Sequence, residues 1–296
     1  MLKYFFQLLK FRLSITVVFS AMIGYLLGFD FDNFIWRDFI CLTIGGFLVT
    51  GSANAFNQIL EKDKDKLMER TSVRPLPQDK LSVFQASVFA TLIGFIGLFL
   101  LNKIYPEGSF YGIMSKSAFF GLISILLYVL SYTPLKRIST ISIFVGAIPG
   151  AIPFLLGYVA ATDNFGIAAG ILFAIQFFWQ FPHFIAIAWV QHKDYKKAGF
   201  KMLFGGKKNK YPTIISIGTS VFMMILSITP YFFKISGLTL SIYAFILVLL
   251  LGSWFTYKSV LLYKNIDDLS ARKLMLSSFI YLPLMQIIYV MDRFIF

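Results

Sequence analysis

The chain has 296 residues, of which 58% are hydrophobic and 14% charged, with a formal net charge of +13 and a mean hydropathy of +0.76. A soluble domain carries about 25% charged residues, so a water-soluble enzyme and a basic nucleic-acid binder are both excluded as readings, and the chain is too apolar to be disordered. One cysteine, Cys41, rules out a disulfide framework and a Cys-based metal site.

The remaining class is an all-α integral membrane protein. A crossing helix needs roughly 20 mainly apolar residues. Nine stretches qualify, near 12–29, 38–58, 82–101, 113–131, 139–160, 166–190, 212–233, 237–256 and 274–292. With short loops they use residues 1–296 as a single domain. The first stretch runs on without a small-residue cleavage site, so it is expected to be a retained helix.

The order of the charges supports nine crossings. With the amino terminus cytoplasmic, 22 of the 27 Lys and Arg fall on the cytoplasmic side. The exceptions are Arg37, Lys103, Lys116, Lys234 and Arg293. This is the positive-inside bias, and an eight-helix reading would scramble it. Topology and attraction to anionic lipid account for most of the charge, but two loops hold more unusual chemistry.

After the second stretch, Asn57, Glu61 and Asp65 are spaced four apart. On one continuous helix they would share a face that starts inside an apolar span and ends at water. Two carboxylates and an amide oxygen form an oxygen-only set suited to Mg²⁺, which often binds through one or two carboxylates plus substrate phosphates. Arg70 and Arg74 follow and can hold phosphate oxygens bidentately. The plain alternative is a fraying helix end, with Lys62, Lys64 and Lys66 pairing the acids.

After the fourth stretch, Tyr132, Lys136 and Arg137 place a phenol and two cations at the same membrane face, where a positive-inside cap is the simpler explanation. After the sixth, His183, Gln191 and Asp194 would lie within about 80° on a helix continuing from Pro182. His183 is either a satisfied hydrogen bond between helices or a substrate contact. All three features sit at ends of even-numbered stretches, so one cavity opening to the cytoplasm can gather them.

The segments N-x-x-x-E-x-D-x-D-x-x-M-x-R-T-x-x-R-P-L (57–76), Y-T-P-L-K-R (132–137) and P-H-F…D-Y-x-x-A-G-x-x-M-L (182–203) resemble the UbiA intramembrane prenyltransferases. The match is to their haem-farnesylating branch, the protoheme IX farnesyltransferases or heme O synthases. The resemblance covers essentially the whole chain. It implies a UbiA-like bundle in a bacterial inner membrane, farnesyl diphosphate and protohaem as substrates, and Mg²⁺ as cofactor. The products would be heme O and diphosphate, with haem-biosynthesis or terminal-oxidase assembly proteins as candidate partners. Carried over by position, Asn57, Glu61 and Asp65 are the metal and catalytic set, with Asp63 close by. Arg70, Arg74, Lys136 and Arg137 become the diphosphate contacts, His183 a catalytic residue on the haem side, and Tyr132, Gln191, Asp194 and Tyr195 further substrate contacts. Two departures stand out. Glu61 replaces the usual Asp of the first motif, and the second acidic motif is incomplete, with only Asp194 acidic. The rival readings are a prenyltransferase acting on an aromatic or quinone precursor, and a membrane transporter or haem carrier.

Overall fold

The computed structural model describes residues 1–296 apart from 33, 106–111, 234 and 236, so the expectation for Lys234 lies outside the described residues. Among the described residues, nine helices are long and apolar enough to cross a membrane. A short helix α1 (Leu2–Leu8) precedes α2 (Phe11–Gly28), α3 (Trp36–Leu60) and a single-turn α4 (Lys62–Asp65). Then come α5 (Val83–Leu101), α6 (Lys116–Leu126), a π-helical turn (Leu127–Tyr132) and α7 (Thr133–Leu135), which together make one span. The rest are α8 (Ser142–Thr162), α9 (Ile167–Val190), α10 (His192–Lys197), α11 (Lys210–Phe233), α12 (Ile242–Asn265) and α13 (Asp268–Ile295).

Local chemistry sets the ends. Ser82 and Gln85 close a reciprocal capping box at the start of α5, satisfying two orphan donors. Ser115, Ser241 and Asp267 cap α6, α12 and α13 with their side chains. Two spans extend beyond the apolar windows: α12 continues to Asn265 and α13 begins at Asp268. A hydropathy window ends where Lys258, Lys264, Arg272 and Lys273 begin, yet charged residues propagate a helix well once its cap is set.

The most enclosed span is α8, packed against α2 on one side and α9 on the other. Small residues allow the close approach expected inside a bilayer, where packing rather than water drives association. A Cβ added to Gly157 would run into the Ala21 carbonyl oxygen, and one on Gly24 into that of Phe154. The α13 helix closes the ring by packing on α9, α12 and α2. Deep in the bundle Gln286 Nε2 donates to Ser20 Oγ at 3.0 Å. Gln176 and Gln180 donate to the Gly150 and Ala147 carbonyls at 2.9 Å each, beside the interior prolines Pro149 and Pro153.

Contacts between loops sort the helix ends. Lys10–Asn57, Lys136–Glu61, Lys197–Glu69 and Lys208–Asp268 meet at one end of the bundle. Lys116–Asp163 and Arg293 with the Phe29 carbonyl meet at the other.

Candidate active site

The expected helical stripe is broken at its middle residue. Helix α3 stops at Leu60, and Glu61 takes φ −100° and ψ 7° before α4 begins. Asn57, Glu61 and Asp65 therefore do not share one continuous helix face; the bend redirects the chain, and all three still line one cavity of about 80 Å³. Pro75 and Pro77 fall in the turn-rich segment that follows α4, where proline ends any helix.

The buried carboxylates and the amide of the cavity each meet a cation. Lys136 Nζ lies 3.0 Å from Glu61 Oε1, both side chains being nearly buried. Arg74 Nη1 lies 2.7 Å from Asp65 Oδ2, while Asp65 Oδ1 is buried with no hydrogen-bond partner among the described residues. Asn57 Nδ2 donates to Thr133 Oγ1 at 3.1 Å, and its Oδ1 accepts from Lys10 Nζ at 3.2 Å. Thr71 Oγ1 donates to the Asp65 carbonyl. The Lys136 ammonium also sits over the Tyr132 ring at 4.4 Å and the Phe200 ring at 5.9 Å, where the ring quadrupoles attract it.

Burial disfavours charge on these groups. It pushes the Asp65 carboxyl above its ordinary range, although the neighbouring Arg74 guanidinium pulls it down. Burial, reinforced by the Arg74 and Lys136 charges, lowers Lys10 to about 7.

The other expected residues divide. Arg70, Tyr132 and Tyr195 line the cavity with the groups above. Arg137 does not; its exposed guanidinium donates to the Leu60 carbonyl at 3.0 Å, tying the end of α3 to the end of α7. Asp63 points to solvent on α4. Helix α9 runs through Pro182 but ends at Val190, and Gln191 forms the bend with φ −91° and ψ 16°. The expected single face of His183, Gln191 and Asp194 is therefore divided between α9, the bend and α10. None of the three lines the cavity. His183 is buried against α13, with Nδ1 2.7 Å from Ser278 Oγ and its ring stacked on Trp179 at 4.7 Å. Those contacts match the interhelical hydrogen bond set out as its alternative role.

Sequence reasoning missed several cavity residues. Lys10 counted only as a topological charge, yet it reaches Asn57 from the N-cap of α2 with a left-handed φ of 47°. Only the fold reveals that turn. Met68, Thr71 and Met202 also line the cavity and stand inside the M-x-R-T and M-L segments, where their spacing was visible but their role was not. Tyr128 was missed too, because the π-helical turn brings it to the cavity along with Tyr132.

The oxygen donors suit Mg²⁺. Among the described residues no cluster of three or more His, Cys, Asp or Glu could hold a metal ion by itself. Two carboxylates and an amide oxygen nevertheless meet here, and Asp65 Oδ1 is unsatisfied. That is the incomplete protein shell expected where substrate phosphates supply the remaining ligands.

The UbiA prenyltransferase family matches residues 17–282. A protein of Flavobacterium psychrophilum named protoheme IX farnesyltransferase is 47% identical over 98% of this chain and 94% of its own length. One of the same name from Christiangramia forsetii is 45% identical over 98% of this chain and 93% of its own. Among solved structures, a digeranylgeranylglyceryl phosphate synthase superimposes with a TM-score of 0.79 at 24% identity, covering 98% of each chain. An Archaeoglobus fulgidus UbiA homologue bound to GPP and Mg²⁺ gives 0.68 at 15% identity, over 97% of this chain and 99% of its own. Those two establish the likeness of fold, and the sequence matches over nearly the whole length establish kinship: the chain belongs to the UbiA prenyltransferase family.

Proposed function

We propose that this protein is a membrane-embedded prenyltransferase that joins the farnesyl group of farnesyl diphosphate to a vinyl group of protohaem. Water addition completes the substituent, and the products are heme O and diphosphate. The full-length relatives that carry the protoheme IX farnesyltransferase name support the substrate pair. The observation that carries the chemistry is the cavity in which Lys10, Arg70, Arg74 and Lys136 surround Glu61 and Asp65.

The residues act on the leaving group. Lys136 and Arg74 are paired with Glu61 and Asp65, so neither of these two cations stands bare in a low-dielectric site. A bound diphosphate draws on Lys10, Arg70, Arg74 and Lys136, which hold its oxygens as the allylic C–O bond breaks and negative charge collects there. Mg²⁺, held by Glu61, Asp65 and Asn57, would supply further Lewis-acid neutralisation of that charge. Tyr128, Tyr132 and Phe200 wall the cavity with rings, which limit water near the electron-poor allyl carbon and offer it their faces. The vinyl π electrons form the new C–C bond, and water then adds to the cation left on the haem side, its released proton passing to a base such as His183 in this reading.

The cavity's about 80 Å³ is a fraction of an ordinary ligand pocket, roughly 300–1,000 Å³. It matches the diphosphate end of the substrate, so the prenyl chain and the haem must lie deeper or lateral to it. His183 belongs to the haem side in this reading. The setting is a bacterial inner membrane with the amino terminus cytoplasmic, supported by the basic residues gathered at the cavity end.

The deciding experiment incubates membranes containing the protein with protohaem, Mg²⁺ and prenyl diphosphates of several lengths, and reads products by mass. Heme O from the fifteen-carbon donor is expected. Prenylation of an aromatic or quinone precursor, with haem untouched, would overturn the haem assignment. For topology, Lys207→Cys in a Cys41→Ser background should react with an impermeant thiol reagent only from the cytoplasmic face. Labelling of intact cells from outside would reverse the orientation.

A further inference from the structure

A second cavity, of about 370 Å³, opens at the end of the bundle opposite Lys10 and Asn57. It forms where the carboxyl ends of α2 and α13 meet the segment leading into α12. Leu27, Leu238, Leu240 and Phe296 supply apolar wall, and Asp292 and Arg293 supply charge.

The two charges are adjacent in sequence but not paired with each other. Asp292 accepts from the Ser241 backbone N–H at 2.8 Å and from the Ser241 hydroxyl, so among the described residues its hydrogen-bond donors are neutral and no cation is paired with it. Arg293 donates through Nη2 to the Phe29 carbonyl, and its guanidinium lies over the Phe29 and Phe31 rings at 5.8 and 5.2 Å. Its Nε is buried and has no hydrogen-bond partner among the described residues. A guanidinium partly removed from water, with donors unused, is a site for a phosphate or carboxylate.

Position and charge together narrow the ligand. The cavity lies at the ends of membrane spans, the depth of the lipid headgroup layer. Among the described residues, its lining carries one cation, Arg293, and one anion, Asp292, on an apolar frame. A purely anionic ligand would meet Arg293 but be opposed by Asp292, and the two carboxylates of a haem would meet the same conflict. A ligand with a phosphate and an amine a few atoms apart satisfies both. Its amine also gains from the aromatic face of Phe31, and its acyl chains can follow the apolar walls into the bilayer. We propose that this cavity binds one zwitterionic phospholipid of the phosphatidylethanolamine class, its phosphodiester on Arg293 and its ammonium on Asp292. The site is remote from the diphosphate cavity and does not depend on the transfer reaction.

The test reads bound lipid, not turnover. The full-length protein is purified in detergent, equilibrated with equal phosphatidylethanolamine and phosphatidylglycerol, and weighed intact by native mass spectrometry. The wild type should retain one phosphatidylethanolamine in clear preference. Arg293→Gln should cut that retention at least tenfold, and Asp292→Asn should shift the preference toward phosphatidylglycerol. Thr239→Trp, which places bulk at the cavity lining without touching either charge, should also abolish retention, and decides the question if Arg293→Gln does not fold. Wild type that retains no lipid or prefers phosphatidylglycerol overturns the proposal. So does a folded Arg293→Gln or Thr239→Trp protein that keeps phosphatidylethanolamine as the wild type does.

Discussion

His183 Nδ1 and Ser278 Oγ lie 2.7 Å apart, and the same Ser278 hydroxyl donates to the Met275 carbonyl at 2.6 Å. When Ser278 gives its one proton to Met275, it accepts from the imidazole. A neutral His183 is then the tautomer protonated at Nδ1, and its Nε2 carries the free lone pair. Such a hydrogen bond from the second nitrogen fixes ring orientation. On the proposed haem side, Nε2 is suited to contact haem or to accept a proton when water attacks. His183→Ala is expected to lower heme O formation at least tenfold, about 1.4 kcal/mol of transition-state stabilisation, at unchanged protein level in the membrane. Ser278→Ala, which frees the ring without removing it, should cost less. Normal accumulation and a wild-type rate in His183→Ala membranes would reduce the pair to a packing contact between α9 and α13.

Glu61→Gln and Asp65→Asn should each remove most prenyl transfer, on the order of a hundredfold or more by analogy with the loss of one preorganised charged group. Both variants should still insert. Glu61→Asp should retain more activity than Glu61→Gln because it keeps the charge. The assay is product formation across a Mg²⁺ titration, and full turnover of both neutral variants at ordinary Mg²⁺ would remove the metal role from this pair.

Lys10→Met is expected to raise the KM for farnesyl diphosphate about tenfold, the loss of roughly 1.4 kcal/mol of charge-assisted binding, with a smaller change in kcat. Lys3→Met, on the exposed part of α1, serves as the control. Equal kinetics in the two variants would return Lys10 to a purely topological role.

Gly157→Ala should destabilise the bundle by about 1–3 kcal/mol, the usual cost of overpacking, because the new methyl would meet the Ala21 carbonyl. Gly170→Ala, with nothing within 4 Å of its added Cβ, should be neutral or slightly stabilising. Thermal unfolding of both proteins in the same detergent makes the comparison.

The nine spans among the described residues were legible because hydropathy and the Lys/Arg pattern report the same boundary from its two sides. The residues at Asn57, Glu61, Asp65, Arg70, Arg74, Tyr132 and Lys136 stood out by spacing and resemblance, and the fold brings them to one cavity. What sequence spacing concealed was every change of direction. It treated 57–65 and 183–194 as straight helices, whereas Glu61 and Gln191 are bends. A straight-helix projection therefore grouped Gln191 and Asp194 with His183, and it had no means of finding Lys10, which enters through a left-handed turn. The pairing of Glu61 with Lys136 was equally hidden, since the two residues are 75 apart in the chain.

The ion pair of Glu69 with Lys197, 2.9 Å long, joins the segment after α4 to α10, while the Lys201 backbone N–H bonds the Lys136 carbonyl at 2.6 Å. The two ties differ in kind. The second is a main-chain bond, indifferent to ionic strength, whereas the first is a solvent-exposed charge pair that dissolved salt weakens. Raising the salt concentration should therefore release the segment after α4 from α10 where Glu69 meets Lys197, while the Lys201 bond keeps the loop after α10 on the end of α7. Where departure of diphosphate limits the catalytic cycle, turnover would then quicken with moderate salt before screening of Arg70 and Arg74 slows capture of the next substrate.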